Sequence, residues 1–208
     1  MSSPEAALRR CWRDLGGTDD AAVDDLLARH REPHRRYHTA VHVMWVLRHV
    51  DELLTAGLDA SLVRAAALFH DAIYDPRSAT NEADSAALAR DALAPLGWTD
   101  DRLTRCAELI EGTRLHDPAR AAVELDAAVL FDADLAILGS SPAEYQAYVT
   151  GVRAEYAHVD DDGWRTGRAA VLRGFLDRKA IYATATMHTD RERRARANLT
   201  AELVTISR

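Results

Sequence analysis

Residues 36–71 read RYHTAVHVMWVLRHVDELLTAGLDASLVRAAALFHD. Within this stretch Val43, Val46, Leu47, Val50, Leu53 and Leu54 recur three and four apart, the spacing of one helix face, without the sustained alternation of a half-buried strand. The spacing predicts a helix over Ala40 to Leu54 and, past the break at Gly57, another over Ala60 to Ile73. The same period continues on both sides. It predicts helices over Pro4 to Leu15, Asp20 to His30, Glu82 to Ala94, Asp101 to Arg114, Ala122 to Leu138, Pro142 to His158, Gly163 to Tyr182 and Arg191 to Ile206. The expected fold is all-α. Breaks such as Gly16-Gly17, Pro33, Asp75-Pro76, Asp117-Pro118 and Asp160 to Gly163 are short turns, and none has the length or composition of an interdomain linker. The 208 residues therefore read as one domain.

Composition narrows the function classes. An apolar share of 48% with 28% charged residues is that of an ordinary globular chain, not a disordered one. The formal net charge of −7 repels a polyanion, and the aromatic share of 6% is too low for a base-stacking platform, so DNA is not an expected partner. Cys11 and Cys106 match no thiol-ligand spacing and read as buried free thiols. No signal peptide or membrane-spanning run is evident, and a cytoplasmic location is the expectation.

Chemistry concentrates in three places. His38 and His42 lie four apart and share a helical face. His70 and Asp71 are adjacent, so in mid-helix they diverge by about 100°, whereas at a helix end both can converge on one ion. An imidazole together with a carboxylate suits a borderline divalent ion that keeps open positions for water and a phosphoryl oxygen. The run Leu130 to Leu138 places Asp132 and Asp134 in an apolar helix, where an unpartnered carboxylate is costly and a cation explains at least one of them. The two acids face different directions, so one ligand is expected from the pair.

In this order of elements the chain resembles the HD superfamily, in which a histidine, a His-Asp doublet and a distant aspartate surround a divalent ion. The resemblance implies His42, His70, Asp71 and Asp134 as ligands, with Asp132 in reserve, within a helical bundle of the HD-domain type. The metal-site core would cover about residues 31–140, with additional C-terminal helices over about 141–208. The Tyr37 to His42 stretch is also similar to the Tyr-His-Asn-x-x-His element of cyclic-nucleotide phosphodiesterases, which implies that His38 is the general acid. Thr39 stands in place of the asparagine, and cyclic nucleotides are not implied. Over nearly everything after Arg31 the chain looks closest to a bacterial group of predicted HD phosphohydrolases, through Asn81-Glu82, Ser85-Ala86, Asp132 to Gly139, Arg153 with Glu155-Tyr156 and Ala195 to Leu199.

The expected activity is hydrolysis of a small phosphate ester, a nucleotide or related metabolite, by water activated on one divalent transition metal ion: manganese, iron, cobalt, nickel or zinc. Asp71 holds or deprotonates that water and His38 protonates the departing oxygen. Arg36 either clamps the phosphate or forms a surface ion pair, and His116 is a pocket candidate by resemblance. Glu82 either orients a water or histidine, or complements the first turn of its helix. His30 and His34 extend the four-residue histidine ladder, but the ends of such a ladder diverge by about 120° and Pro33 interrupts it. His49, His158 and His188 read as structural, Arg153 and Glu155 as an ion pair, and a homodimer is left open. The alternatives are a catalytically silent metal- or nucleotide-binding regulator and, behind it, a di-iron oxygenase of the same scaffold.

Overall fold

The computed structural model describes residues 3–207. Among them there are eleven α-helices, two short 3₁₀ segments and no strand. The helices are α1 (Pro4–Asp14), α2 (Ala21–Arg29), α3 (Ala40–Leu53), α4 (Ala60–Phe69), α5 (Asn81–Leu93), α6 (Asp100–Gly112), α7 (Pro118–Ala121), α8 (Leu125–Asp134), α9 (Pro142–Glu155), α10 (Asp161–Leu176) and α11 (Ala185–Ile206). The 3₁₀ segments are Ala94–Leu96 and Leu135–Gly139. No helix among the described residues is long and apolar enough to cross a membrane.

Local chemistry sets the boundaries that matter for the site. Thr39 caps α3 by accepting the Val41 N–H, and Asp59 caps α4 by accepting the Leu62 N–H at 3.0 Å. α4 stops at Phe69, four residues short of the predicted Ile73, with His70 as its C-cap. The predicted helix Ala122 to Leu138 is instead α8 followed by a 3₁₀ segment, and Pro118 opens the separate short helix α7. α10 ends at Leu176 rather than at Tyr182, and α11 begins at Ala185 rather than Arg191. The physical reason lies in Asp132. Its carboxylate accepts the N–H groups of Ala183 and Thr184 at 2.9 and 2.7 Å and the Thr184 hydroxyl at 2.7 Å, fixing the turn that starts α11.

α8 is the centre of the bundle. Seven consecutive residues, Ala127 to Ala133, are buried, as expected of a helix covered on every side. α3 and α4 pack on it, and α5 with α6 form a layer against α4. The C-terminal helices attach mainly through the 3₁₀ segment 135–139, which α9 and α11 both grip. Asn198 donates to the carbonyls of Leu138 and Ser140, and the Tyr182 hydroxyl donates to that of Leu135. A Cβ on Gly139 would lie 2.5 Å from that of Arg191 and 2.9 Å from the Arg191 carbonyl oxygen, so this approach needs glycine. Cys11 and Cys106 are buried and free, each thiol pushed up to about 12 by burial.

Candidate metal centre

Three elements end at one point. His42 lies in the first turn of α3, His70 closes α4 with Asp71 in the turn behind it, and Asp134 is the last residue of α8. The early end of α4 lets two adjacent residues serve one centre. The two imidazole Nε2 atoms are 3.1 Å apart, and His42 Nε2 lies 3.3 Å from Asp71 Oδ2 and 3.1 Å from Asp134 Oδ1. His70 Nε2 lies 3.1 Å from Asp71 Oδ2 and 3.6 Å from Asp134 Oδ1. Donor atoms of His42, His70 and Asp71 all fall within 4.8 Å of one another.

These separations suit a common ion. Two donors about 2.1 Å from one cation are about 3.0 Å apart at a right angle and about 3.4 Å apart at the tetrahedral angle. The tautomer of His70 agrees with this, while the buried His42 Nδ1 has no hydrogen-bond partner. The His70 Nδ1–H donates to the Ala67 carbonyl at 2.9 Å, leaving the Nε2 lone pair facing the cluster. The imidazoles are 4% and 2% exposed, and two carboxylates beside them need positive charge. In the protein alone the histidines supply it: burial pulls His42 and His70 down, but the paired carboxylates outweigh it and leave His42 raised and His70 well raised. Burial likewise opposes ionisation of Asp71 and Asp134, yet His70 and its neighbours hold both well below the usual carboxylate range. A divalent cation neutralises the same pair, so the mixed nitrogen and oxygen donor set fits a transition metal.

A second group of residues orients the first. Glu155, the last residue of α9 and 4% exposed, accepts the N–H groups of Arg36, Tyr37 and His38 at 2.7, 2.7 and 3.0 Å. It also accepts from His38 Nδ1 at 2.7 Å and from the Tyr74 hydroxyl at 3.0 Å. Burial opposes its ionisation, but His38 and the backbone donors hold the carboxyl at about 2. The His38 ring stacks on Tyr74, and its centroid is 5.7 Å from that of His42. The buried Arg35 guanidinium donates to the carbonyls of His38, Asp71 and Ala72, tying the approach to α3 to the turn after α4. His116 Nε2 meets Asp134 Oδ2 at 2.7 Å. The His116 backbone has φ 44, and Arg178 fixes that left-handed turn by donating to the carbonyls of residues 115 and 116.

Several expected contacts are not formed. The Arg36 side chain is exposed and donates to the carbonyls of Pro33 and Arg35, because Glu155 curls the backbone of 36–38 so that this guanidinium faces away from the cluster. Glu82 makes no hydrogen bond or ion pair with the cluster; it stands in the first turn of α5 and acts on the Tyr156 hydroxyl through its charge. Asp132 serves the start of α11, so Asp134 is the carboxylate at the cluster. Arg153 pairs with Asp161 rather than with Glu155. The histidine ladder is dispersed: His30 ends α2 beside Arg35, and His34 Nε2 meets the Tyr74 carbonyl oxygen. His49 pairs with Glu52, and His188 with Glu192.

Glu155, Tyr74, Arg35 and Arg178 are the site residues that sequence reasoning missed or misassigned. Glu155 left one signal. An acid in the last turn of a helix opposes the helix dipole and calls for a partner elsewhere.

Beside the cluster, between the 3₁₀ segment and helices α9 and α10, lies a cavity of about 550 Å³ bordered by His38, His116 and Asp134. No family model, no curated protein and no solved structure matches the chain.

Proposed function

We propose that the chain is a metal-dependent phosphohydrolase of the HD type, acting on a small phosphate ester, a nucleotide or related metabolite. The metal-site core would cover about residues 31–140 and the helical extension about 141–208. The observation that carries this reading is the convergence of His42, His70, Asp71 and Asp134, from three separate elements, at donor separations of 3.1 to 3.6 Å. Those four residues would hold one divalent transition metal ion. When bound, such an ion polarises a phosphoryl oxygen and acidifies water.

The chain's own groups divide the remaining work. Asp71, 19% exposed at its side chain, holds or deprotonates the attacking water as the new P–O bond forms. His38 gives its proton to the departing ester oxygen as the old P–O bond breaks. Glu155 holds the His38 ring by Nδ1, so Nε2 is the nitrogen left to serve the reaction. His116 steadies Asp134. Arg114 borders the cavity and takes the charge-offsetting role first assigned to Arg36.

The test is a screen of purified protein, each candidate ion against a panel of phosphate esters, for phosphate release. Turnover should require the ion and be abolished in Asp71→Ala. Equal release from both proteins, or none across the panel, would overturn the reading.

A further inference from the structure

The cavity beside the cluster has two unlike ends. At the inner end stand the side chains of His38, His116 and Asp134. The other walls are Ile137, Leu138, Tyr148, Val152, Trp164 and Phe175, together with one flank of α10. Its lining includes no Ser, Thr, Asn, Gln or Glu, and Asp134 is its sole acid. Of its two guanidinium groups, Arg168 is already matched by Glu202 at 2.7 and 3.0 Å and by the Tyr148 hydroxyl, while Arg114 is exposed. Beyond these, its polar groups are the hydroxyls of Tyr37, Tyr148 and Tyr156 and the indole N–H of Trp164, all carried on rings, so few groups are available to read the hydroxyls of a sugar or the edge of a base. The cavity offers ring faces and aliphatic surface.

Gly167 adds an independent observation. It sits inside α10, where glycine weakens a helix by about 0.5–1 kcal/mol relative to alanine. A Cβ there would meet nothing within 4 Å, so no packing against the protein requires glycine. The residue is exposed and borders the cavity, one turn from both Gly163 and Val171, so a larger side chain there would stand at the cavity's rim.

We infer that the cavity is the subsite for the organic part of the substrate, and that within the small phosphate esters proposed above this part is a flat, apolar, unsaturated ring system recognised by its faces, in preference to a nucleoside. The inference rests on the proposed function for the placement of the phosphate, between the cluster and Arg114. The volume suits one or two fused rings with the phosphate attached. Stacking on Trp164 and Tyr148 and burial against Val152 and Phe175 supply the affinity.

Two non-hydrolysable probes test it. Methylphosphonate and 1-naphthylphosphonate are titrated calorimetrically into the full chain supplied with manganese. The naphthyl probe should bind at least about tenfold more tightly. Gly167→Leu, which adds a side chain at the cavity's rim, and Trp164→Ala, which removes a wall, should each bring the ratio of the two affinities to within about threefold. A ratio near one in the unaltered protein, or a ratio unchanged in both variants, overturns the inference. Hydrolysis of 1-naphthyl phosphate separates the two readings. Selective binding without hydrolysis would leave the subsite and remove the phosphohydrolase; hydrolysis with a ratio near one would do the reverse.

Discussion

Replacing Glu155 with glutamine keeps the shape of the side chain and removes its charge. The carboxylate serves five donors: three consecutive backbone N–H groups, His38 Nδ1–H and the Tyr74 hydroxyl. These hold its carboxyl at about 2 in the folded protein against a usual 4.5. A depression of that size favours the charged folded form by about 3 kcal/mol. Because the folded value is the depressed one, the contribution is complete above the unfolded value and fades as pH falls towards the folded one. About 3 kcal/mol should thus separate the two proteins above pH 5 and about 1 kcal/mol at pH 3. Urea unfolding of both proteins at a series of pH values measures this difference directly, and the other carboxylates cancel in the subtraction. A difference below about 1 kcal/mol at pH 7, or one that stays constant from pH 6 to pH 3, would refute the reasoning.

Two further substitutions probe neighbouring features. Asp132→Ala should cost about 2–4 kcal/mol in unfolding measurements, since it strands the donors of Ala183 and Thr184, yet manganese should bind the folded variant as before. Loss of metal affinity in that folded variant would transfer the ligand role from Asp134 to Asp132. Gly139→Ala should destabilise by about 1–3 kcal/mol, read as a lower urea midpoint, because its methyl meets the Arg191 backbone; an unchanged midpoint would show that α11 shifts freely.

The sequence disclosed the parts of this molecule that depend on local spacing. The period of Val43, Val46, Leu47 and Val50 marked α3, and the adjacency of His70 and Asp71 pointed to a helix end, where the structure puts them. What it concealed depends on the direction of side chains in irregular backbone. Residues 30–39 contain no helix period from which a direction can be read, so the outward turn of Arg36 and the inward turn of Arg35 were indistinguishable. The role of Glu155 was hidden by a separation of 117 residues from His38, and its neighbour Arg153 offered a nearer, misleading partner. α7 escaped because four residues are too few to express a period.

The tether between His38 and Glu155 also bears on how the site assembles while the protein folds. The clustered imidazoles of His42 and His70 are joined across 28 residues, between helices that also pack on each other, whereas the His38–Glu155 tether spans 117 residues. Closing so long a loop carries an entropic penalty, offset by docking of α9 and α11 onto residues 135–139. Under the proposed function, ion binding by His42, His70 and Asp71 should therefore precede closure of the His38–Glu155 tether during refolding, so that stopped-flow mixing would register metal uptake before any turnover.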